Sequence, residues 1–332
     1  MIESLLDNWW VAAVLKAVAC LGVFLTVPLI IGQTEHKVMA HMQGRTGPMY
    51  AGAFHGWAQL VADGIKFVQK EDVVPDNADR GVFKLAPAVS LLPALFVLVV
   101  IPWSPGLVAE KLDIGLFYAL AISSITTIGM LMAAWSSANK FSLLGGIRGA
   151  AQLIAYELPL VLSAATVAMF AGTLSLTGIA AAWEWWWIPF LAPAMFVFFV
   201  ASLAELNRPP FDMPVADSEI IFGHMTEYTG LRFAFFLLTE YAGIVVAGAL
   251  FAVLFLGGWR GPFLSAELGI LWTFLKIFAF GFVVIWLRVA YPRLREDQLQ
   301  KLCWKVLIPL SLVQIFVAAA VKLYAPWANG TW

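Results

Sequence analysis

Long continuous apolar runs separated by polar stretches dominate the chain, and no segment alternates apolar and polar residues with the period of two that marks a half-buried strand. The runs are Trp9–Ile31, Leu85–Ile101, Ile114–Trp135, Gly149–Gly172, Trp185–Leu203, Leu231–Gly257, Leu268–Ala290 and Val306–Tyr324. Each is close to the roughly 17–25 residues that a helix needs to cross a hydrocarbon core about 30 Å thick. Backbone groups must be satisfied inside the segment where no water reaches them, so the pattern predicts an all-α polytopic membrane protein, a bundle of eight transmembrane helices in one integral-membrane domain over residues 1–332. Trp9, Trp10, Trp103, Trp135, Trp185, Trp186, Trp187 and Trp327 fall at span ends, where amphipathic rings meet the head groups. The first run is too long for a signal-peptide core, acids precede it and no small-residue cleavage site follows. No internal repeat is visible, which argues against an inverted-repeat transporter.

The polar stretches set the orientation. The odd-numbered loops, at about 32–84, 137–148, 204–230 and 291–305, hold fifteen basic residues with their flanks, whereas the even-numbered loops hold only Lys111 and Arg260. Basic residues are retained on the cytoplasmic side, so both termini are expected on the opposite side. Within loop one, Trp57, Leu60, Val61, Ile65 and Val68 recur at helical spacing, with Gln59, Asp63, Lys66 and Lys70 elsewhere on the wheel. Two readings stay open: an amphipathic helix lying in the membrane plane, or a short cap over the bundle.

Composition narrows the class further. Of 332 residues, 61% are hydrophobic and 12% charged, about half the charge of an ordinary soluble domain, which excludes a soluble enzyme and a disordered chain. A net charge of −1 argues against a nucleic-acid binder. Two cysteines, Cys20 and Cys303, cannot hold an iron–sulfur cluster or a structural zinc, and no metal site is expected. None of His36, His41, His55 and His224 lies mid-span, where a haem ligand would be.

Ionisable groups inside spans cost about 2.5–3.5 kcal/mol each on insertion scales and are therefore functional candidates. Lys16 is near enough to the Trp pair to snorkel. Glu157, Glu240 and Lys276 are not, and are expected to face the bundle interior and to pair with one another or with water. They fit a proton relay; the alternative is a buried ion pair that fixes helix packing. Loop five, from Glu205 to Glu219, intersperses Arg208, Asp212, Asp217 and Glu219 with Pro209, Pro210 and Pro214, followed by Glu227 and Tyr228. The prolines forbid a regular helix there and leave a shaped, charged loop.

Several segments, in order, carry a family resemblance: Glu35-His-Lys-Val-Met-Ala, Gln43-Gly-Arg-Thr-Gly-Pro48, Leu60-Val-Ala-Asp-Gly-Ile-Lys-Phe, Trp135-Ser-Ser-Ala-Asn-Lys-Phe-Ser-Leu-Leu-Gly145, Arg148-Gly-Ala-Ala-Gln152, Tyr156-Glu157, Asn207-Arg-Pro-Pro-Phe-Asp212, Thr226-Glu-Tyr228, Glu240-Tyr241 and Pro292-Arg-Leu-Arg-Glu-Asp-Gln298. The chain resembles the H subunit of NADH–quinone oxidoreductase, respiratory complex I. The resemblance implies one component of a translocase in an energy-conserving bacterial plasma (inner) membrane. It has no redox centre or cofactor of its own, takes a lipid quinone as substrate, and leaves NADH, FMN and iron–sulfur clusters to partner subunits. Those partners would be the soluble iron–sulfur and quinone-site subunits of the peripheral arm, and the small and antiporter-like membrane subunits. Ubiquinone and menaquinone both fit.

Carried over by position, Glu35, Arg45, Asp63, Lys66, Arg208 and Asp212 would border the quinone chamber and its entrance. Glu157, Asp217, Glu219, Glu227, Glu240 and Lys276 would form the proton and coupling path. Arg293, Arg295 and Asp297 would meet the soluble arm. Loop five departs from the family's usual Pro-Glu-Ala-Glu-Ser-Glu, reading Pro214-Val-Ala-Asp-Ser-Glu219, and His36 stands where arginine is common. Two other readings compete: the membrane anchor of a related hydrogenase or formate hydrogenlyase, disfavoured by the quinone-facing motifs of loop one, and a free-standing ion-coupled transporter, disfavoured by the large charged face.

Overall fold

A computed structural model describes residues 9–263 and 267–324; Trp327 of the aromatic belt lies outside the described residues. Among the described residues, eight helices are long and apolar enough to cross a membrane. In chain order the helices are α1 Trp9–Met42, α2 Gln59–Gln69, α3 Arg80–Leu98, α4 Gly115–Ser136, α5 Lys140–Ala171, α6 Leu176–Ala182, α7 Trp187–Glu205, α8 Asp217–Ile220, α9 Gly230–Phe255, α10 Gly269–Ala290, α11 Glu296–Leu302 and α12 Ile308–Tyr324. The spans are α1, α3, α4, α5, α7, α9, α10 and the α11–α12 segment.

Where the helices outrun the predicted spans, the reason is local. α1 runs eleven residues past Ile31, because polarity returns at Gln33 and Glu35 while nothing breaks the backbone before Gly44, whose φ of +70° ends the helical path. α5 starts at Lys140 rather than Gly149, since the Asn139 side chain caps it by accepting from Phe141 N at 2.8 Å. Asp79 caps α3 in the same way through Gly81 N and Val82 N. The expected loop 291–305 is largely helical. α11 passes through a π-helical turn, Cys303–Leu307, into α12, and Pro309, which lacks an N–H, follows that slip in hydrogen-bond register.

α9 and α5 form the centre. α9 packs against α1, α3, α7 and α10, and α5 against α4, α7 and α12. One continuous apolar core joins them, with the Phe251 ring in contact with those of Phe198, Phe255 and Phe280. α3 and α4 meet closely because Gly129 has no side chain: a Cβ there would lie 2.4 Å from Ser90 N. The helix predicted in loop one is α2. Its inner side reaches α1 and α9 through Leu60 and Phe67, while Trp57, Val61, Ile65 and Val68 are exposed. A cap would bury that stripe, so the outward stripe fits a helix lying against lipid.

At the basic end, loop five is sunk between the helices rather than draped over them. The buried Gln152 amide nitrogen reaches Ala204 O at 2.6 Å and Phe211 O at 2.9 Å. Leu294 N donates to Pro210 O at 2.9 Å, and Tyr228 Oη donates to Phe83 O at 3.0 Å. Gly145 lets the loop approach α5, since a Cβ there would lie 2.7 Å from Pro214 O and 3.0 Å from His224 N.

Candidate functional site

The deepest charge among the described residues is on loop five. Arg208 is 1% exposed, and its Nη1 donates to Glu35 Oε2 of α1 at 2.5 Å. Its Nε lies 2.9 Å from Glu240 Oε1 of α9. That second contact is Coulombic, because the N–H is not aligned for a hydrogen bond. The guanidinium also stacks over the Tyr241 ring, 4.9 Å from its centroid. Glu35 is equally buried and takes a second partner, Arg288 of α10. Two carboxylates and two guanidiniums from α1, loop five, α9 and α10 therefore form one neutral cluster. Burial works against the charge on Arg208, but Glu240 and Glu35 outweigh it and raise its pKa.

Beneath loop five and beside this cluster is a cavity of about 220 Å³. Loop five contributes Asp212, Asp217 and His224 to its wall, α7 contributes Glu205, α9 Glu240 and α10 Arg288; the α3 and α4 walls combine the hydroxyls of Ser90, Ser123 and Thr127 with apolar Val97 and Met130. The cavity runs from the basic end into the membrane-spanning part of α9 as far as Ala247. Asp212 pairs with Arg293 at 2.9 Å. Burial nevertheless pushes its pKa up to about 6, against the opposing pull of Arg293, with Glu240 and Asp217 adding to the rise. A carboxyl titrating there can take and release protons near neutrality.

The structure thus brings Glu35, Arg208 and Glu240 into direct contact and gathers Asp212, Asp217 and Glu240 around one cavity. Glu219 and Glu227 stand off it, held by Arg148 at 2.5 Å and by Asn139 Nδ2 at 2.5 Å. Arg45 bonds Gln43 nearby, Asp63 pairs along its own helix with Lys66 at 3.3 Å, and Arg295 pairs locally with Asp297 at 3.2 Å. Glu157 is half-buried beside Tyr156 and makes no ion pair among the described residues.

Several residues of the site escaped the sequence. Glu205 reads as the first acid of a loop but is the last residue of α7 and faces the cavity. Arg288 reads as one more basic residue at a span end. His224 carries no spacing signal. The available signal for Glu205 was an acid placed directly on the end of an apolar run.

Lys276, expected to pair with the two glutamates or with water, meets neither glutamate among the described residues. Its Nζ donates to Leu256 O, Gly258 O and Arg260 O at 2.6, 2.7 and 2.6 Å. All three ammonium hydrogens are used, on the carbonyl of the residue that caps α9 and on two carbonyls of the turn that follows it. At that same rim Arg260 donates to Trp183 O and Ala181 O. The physical reason is proximity: the carbonyls at and just past the C-terminus of α9 converge on the ammonium closer than any carboxylate among the described residues. Lys276→Met should destabilise the protein by about 2–3 kcal/mol, the scale of a lost hydrogen bond to a charged group. A lower temperature of thermal inactivation, with the ratio of protons pumped to quinone reduced unchanged, is the expected measurement.

The NADH dehydrogenase family pattern matches residues 15–319. The chain is 46% identical over 333 residues to the H subunit of the NADH-quinone oxidoreductase of Bacillus cereus strain B4264, an alignment covering 97% of this chain and 99% of that relative. The same figures hold for the H subunits of Bacillus cereus strain G9842 and of Bacillus thuringiensis subsp. konkukian strain 97-27.

Proposed function

The chain belongs to the NADH dehydrogenase family of H subunits, multi-pass membrane components of the NADH–quinone oxidoreductase complex, and on that premise we propose that its basic end couples quinone reduction to proton movement. The observation that carries this reading is the continuity of the Glu35–Arg208–Glu240 contacts with the cavity: one guanidinium touches a carboxylate at the end of α1 and another that opens into the membrane-spanning bundle.

Adding two electrons to a quinone near loop five creates negative charge there, which persists until two protons from the cytoplasmic side complete the quinol. Negative charge there competes with Glu35 and Glu240 for Arg208 and Arg288. Loosening the Arg208–Glu240 contact lets Glu240 take up a proton, because a carboxylate without its cation partner gains less from staying charged. The cavity then draws that proton from the loop-five acids, Asp212 and Asp217, which are refilled from the cytoplasm. Glu219 and Glu227 fix the loop's position from outside the cavity through Arg148 and Asn139. Glu157 and Glu205 continue the polar path. Arg45, Asp63 and Lys66, near α2, border the quinone's access route, and Arg293, Arg295 and Asp297 face the peripheral arm, which carries the iron–sulfur clusters. In this orientation the basic end is cytoplasmic and both termini lie on the other side.

Asp212 tests the reading through pH. Its raised pKa means that it is neutral below about 6 and charged above, so the Asp212–Arg293 pair forms as pH rises through that value. The quinone reductase rate of the assembled complex should fall on acidification through about pH 6. Asp212→Asn should be slow at every pH and show no such limb. A wild-type profile in the Asn variant would remove Asp212 and its loop from the coupling route.

A further inference from the structure

Loop five places one more titratable group on the cavity wall, and the route through the carboxylates does not use it. His224 sits in the 3-10 turn Gly223–Met225 and is 6% exposed. Its position is tightly determined. Gly223 has φ +51°, and a Cβ there would lie 1.8 Å from Pro214 O, so only glycine permits the turn. Ser142 Oγ of α5 donates to His224 O at 3.4 Å, and the imidazole stands edge-on to Phe236 of α9, 5.4 Å between centroids. Of the two ring nitrogens, Nδ1 is sealed from solvent and has no hydrogen-bond partner among the described residues, which leaves Nε2 as the atom through which the ring exchanges protons.

We infer that His224 is a proton-carrying residue of the cavity, passing protons through Nε2 between the loop-five carboxyls and Glu240. The inference rests on the coupling role proposed for the cavity and adds a residue to it. The titratable and charged groups that share the cavity wall with His224 are Asp212 and Asp217 from loop five, Glu205 from α7, Glu240 from α9 and Arg288 from α10, while α5 meets the His224 backbone through Ser142 and the glycine at 145. A volume of about 220 Å³ has space for on the order of seven waters at ~30 Å³ each, enough to bridge the ring to carboxylates on opposite walls. In the transfer, Nε2 of the neutral ring takes a proton from a water protonated by Asp217 or Asp212. The short-lived imidazolium then returns that proton from Nε2 to a water on the Glu240 side, so the ring ends as it began and no net charge stays on it. Burial disfavours the imidazolium and holds the His224 pKa down at about 4, which keeps the ring neutral between transfers and makes it release the proton quickly. Val215, also on this wall, cannot carry a proton.

The test uses the whole complex in proteoliposomes with quinone reduction and proton uptake read together. His224→Phe keeps the ring and its edge contact with Phe236 but has no nitrogen; His224→Gln keeps polarity but does not titrate. Both should lower the quinone reductase rate about 100-fold, the lower end of general acid–base effects. His224→Ala should lose as much and recover in part with added imidazole, in proportion to the imidazole present as free base. A wild-type rate in the Phe or Gln variant overturns the proposal, and so does a loss in His224→Ala that imidazole leaves unchanged. Glu240→Gln separates the two ideas: if it abolishes pumping while the His224 variants behave as wild type, the cavity's role stands and that of His224 falls. If Glu240→Gln also pumps normally, the cavity reading itself fails.

Discussion

Replacing Arg208 by methionine should abolish quinone reductase activity and reduce the amount of assembled complex, the largest effect expected of any single substitution in the chain. Methionine fills much of the space but removes the one cation, among the described residues, that touches both Glu35 and Glu240. The cluster of two carboxylates and two guanidiniums would then carry a net negative charge, with Glu35 almost wholly buried and dependent on Arg288 alone. Leaving a buried charge partly unpaired in this way destabilises proteins by about 3–5 kcal/mol. Arg208→Lys should rescue little, because a point ammonium cannot address two carboxylates and a tyrosine face from one position. The double variant Glu35→Gln with Arg208→Met restores neutrality and should recover assembly but not activity. Native gels and thermal inactivation read the first, and quinone reduction the second. If Arg208→Met alone assembles and turns over normally, the cluster is not what holds loop five to the bundle.

Glu240→Gln should uncouple the machine rather than unmake it. The amide is isosteric with the carboxyl and can still face Arg208, and Glu35 remains as that arginine's hydrogen-bonded partner, so assembly should persist. What is lost is the charge that balances the cluster and the proton that the cavity's membrane end would hold. Protons pumped per quinone reduced should fall toward zero, with the coupled rate down by about 100-fold or more. Glu157→Gln should have a smaller effect, since Glu157 lies off the cavity wall and acts on it through its charge interaction with Glu205. Equal and full pumping in both variants would contradict a carboxylate route through the bundle.

Much of the architecture was legible in the chain, because crossing a membrane leaves a one-dimensional trace. Apolar runs of about twenty residues with tryptophans at their ends predict eight spans, and eight suitable helices are present. The motif order from Glu35 to Gln298 carried the family, which the 46% identity to known H subunits supports. Helix ends were less legible: hydropathy measures where lipid stops, whereas α1 and α5 run on until a glycine or a cap ends the hydrogen-bond ladder.

The sequence by itself therefore determined the fold class, the number of spans and the set of charged residues worth watching, since each depends on local composition and spacing. Which of those charges meet was decided only by the tertiary structure. Arg208 lies 173 residues from Glu35 and Arg288 lies 253 from it, and no periodicity links positions so far apart. Lys276 and Glu240 look alike along the chain, as charges sunk in apolar runs. One is spent on carbonyls of the turn that follows a neighbouring helix, and the other opens onto the cavity beneath loop five. That difference depends on which partner lies within about 3 Å, the reach of a hydrogen bond, and so on how the helices pack.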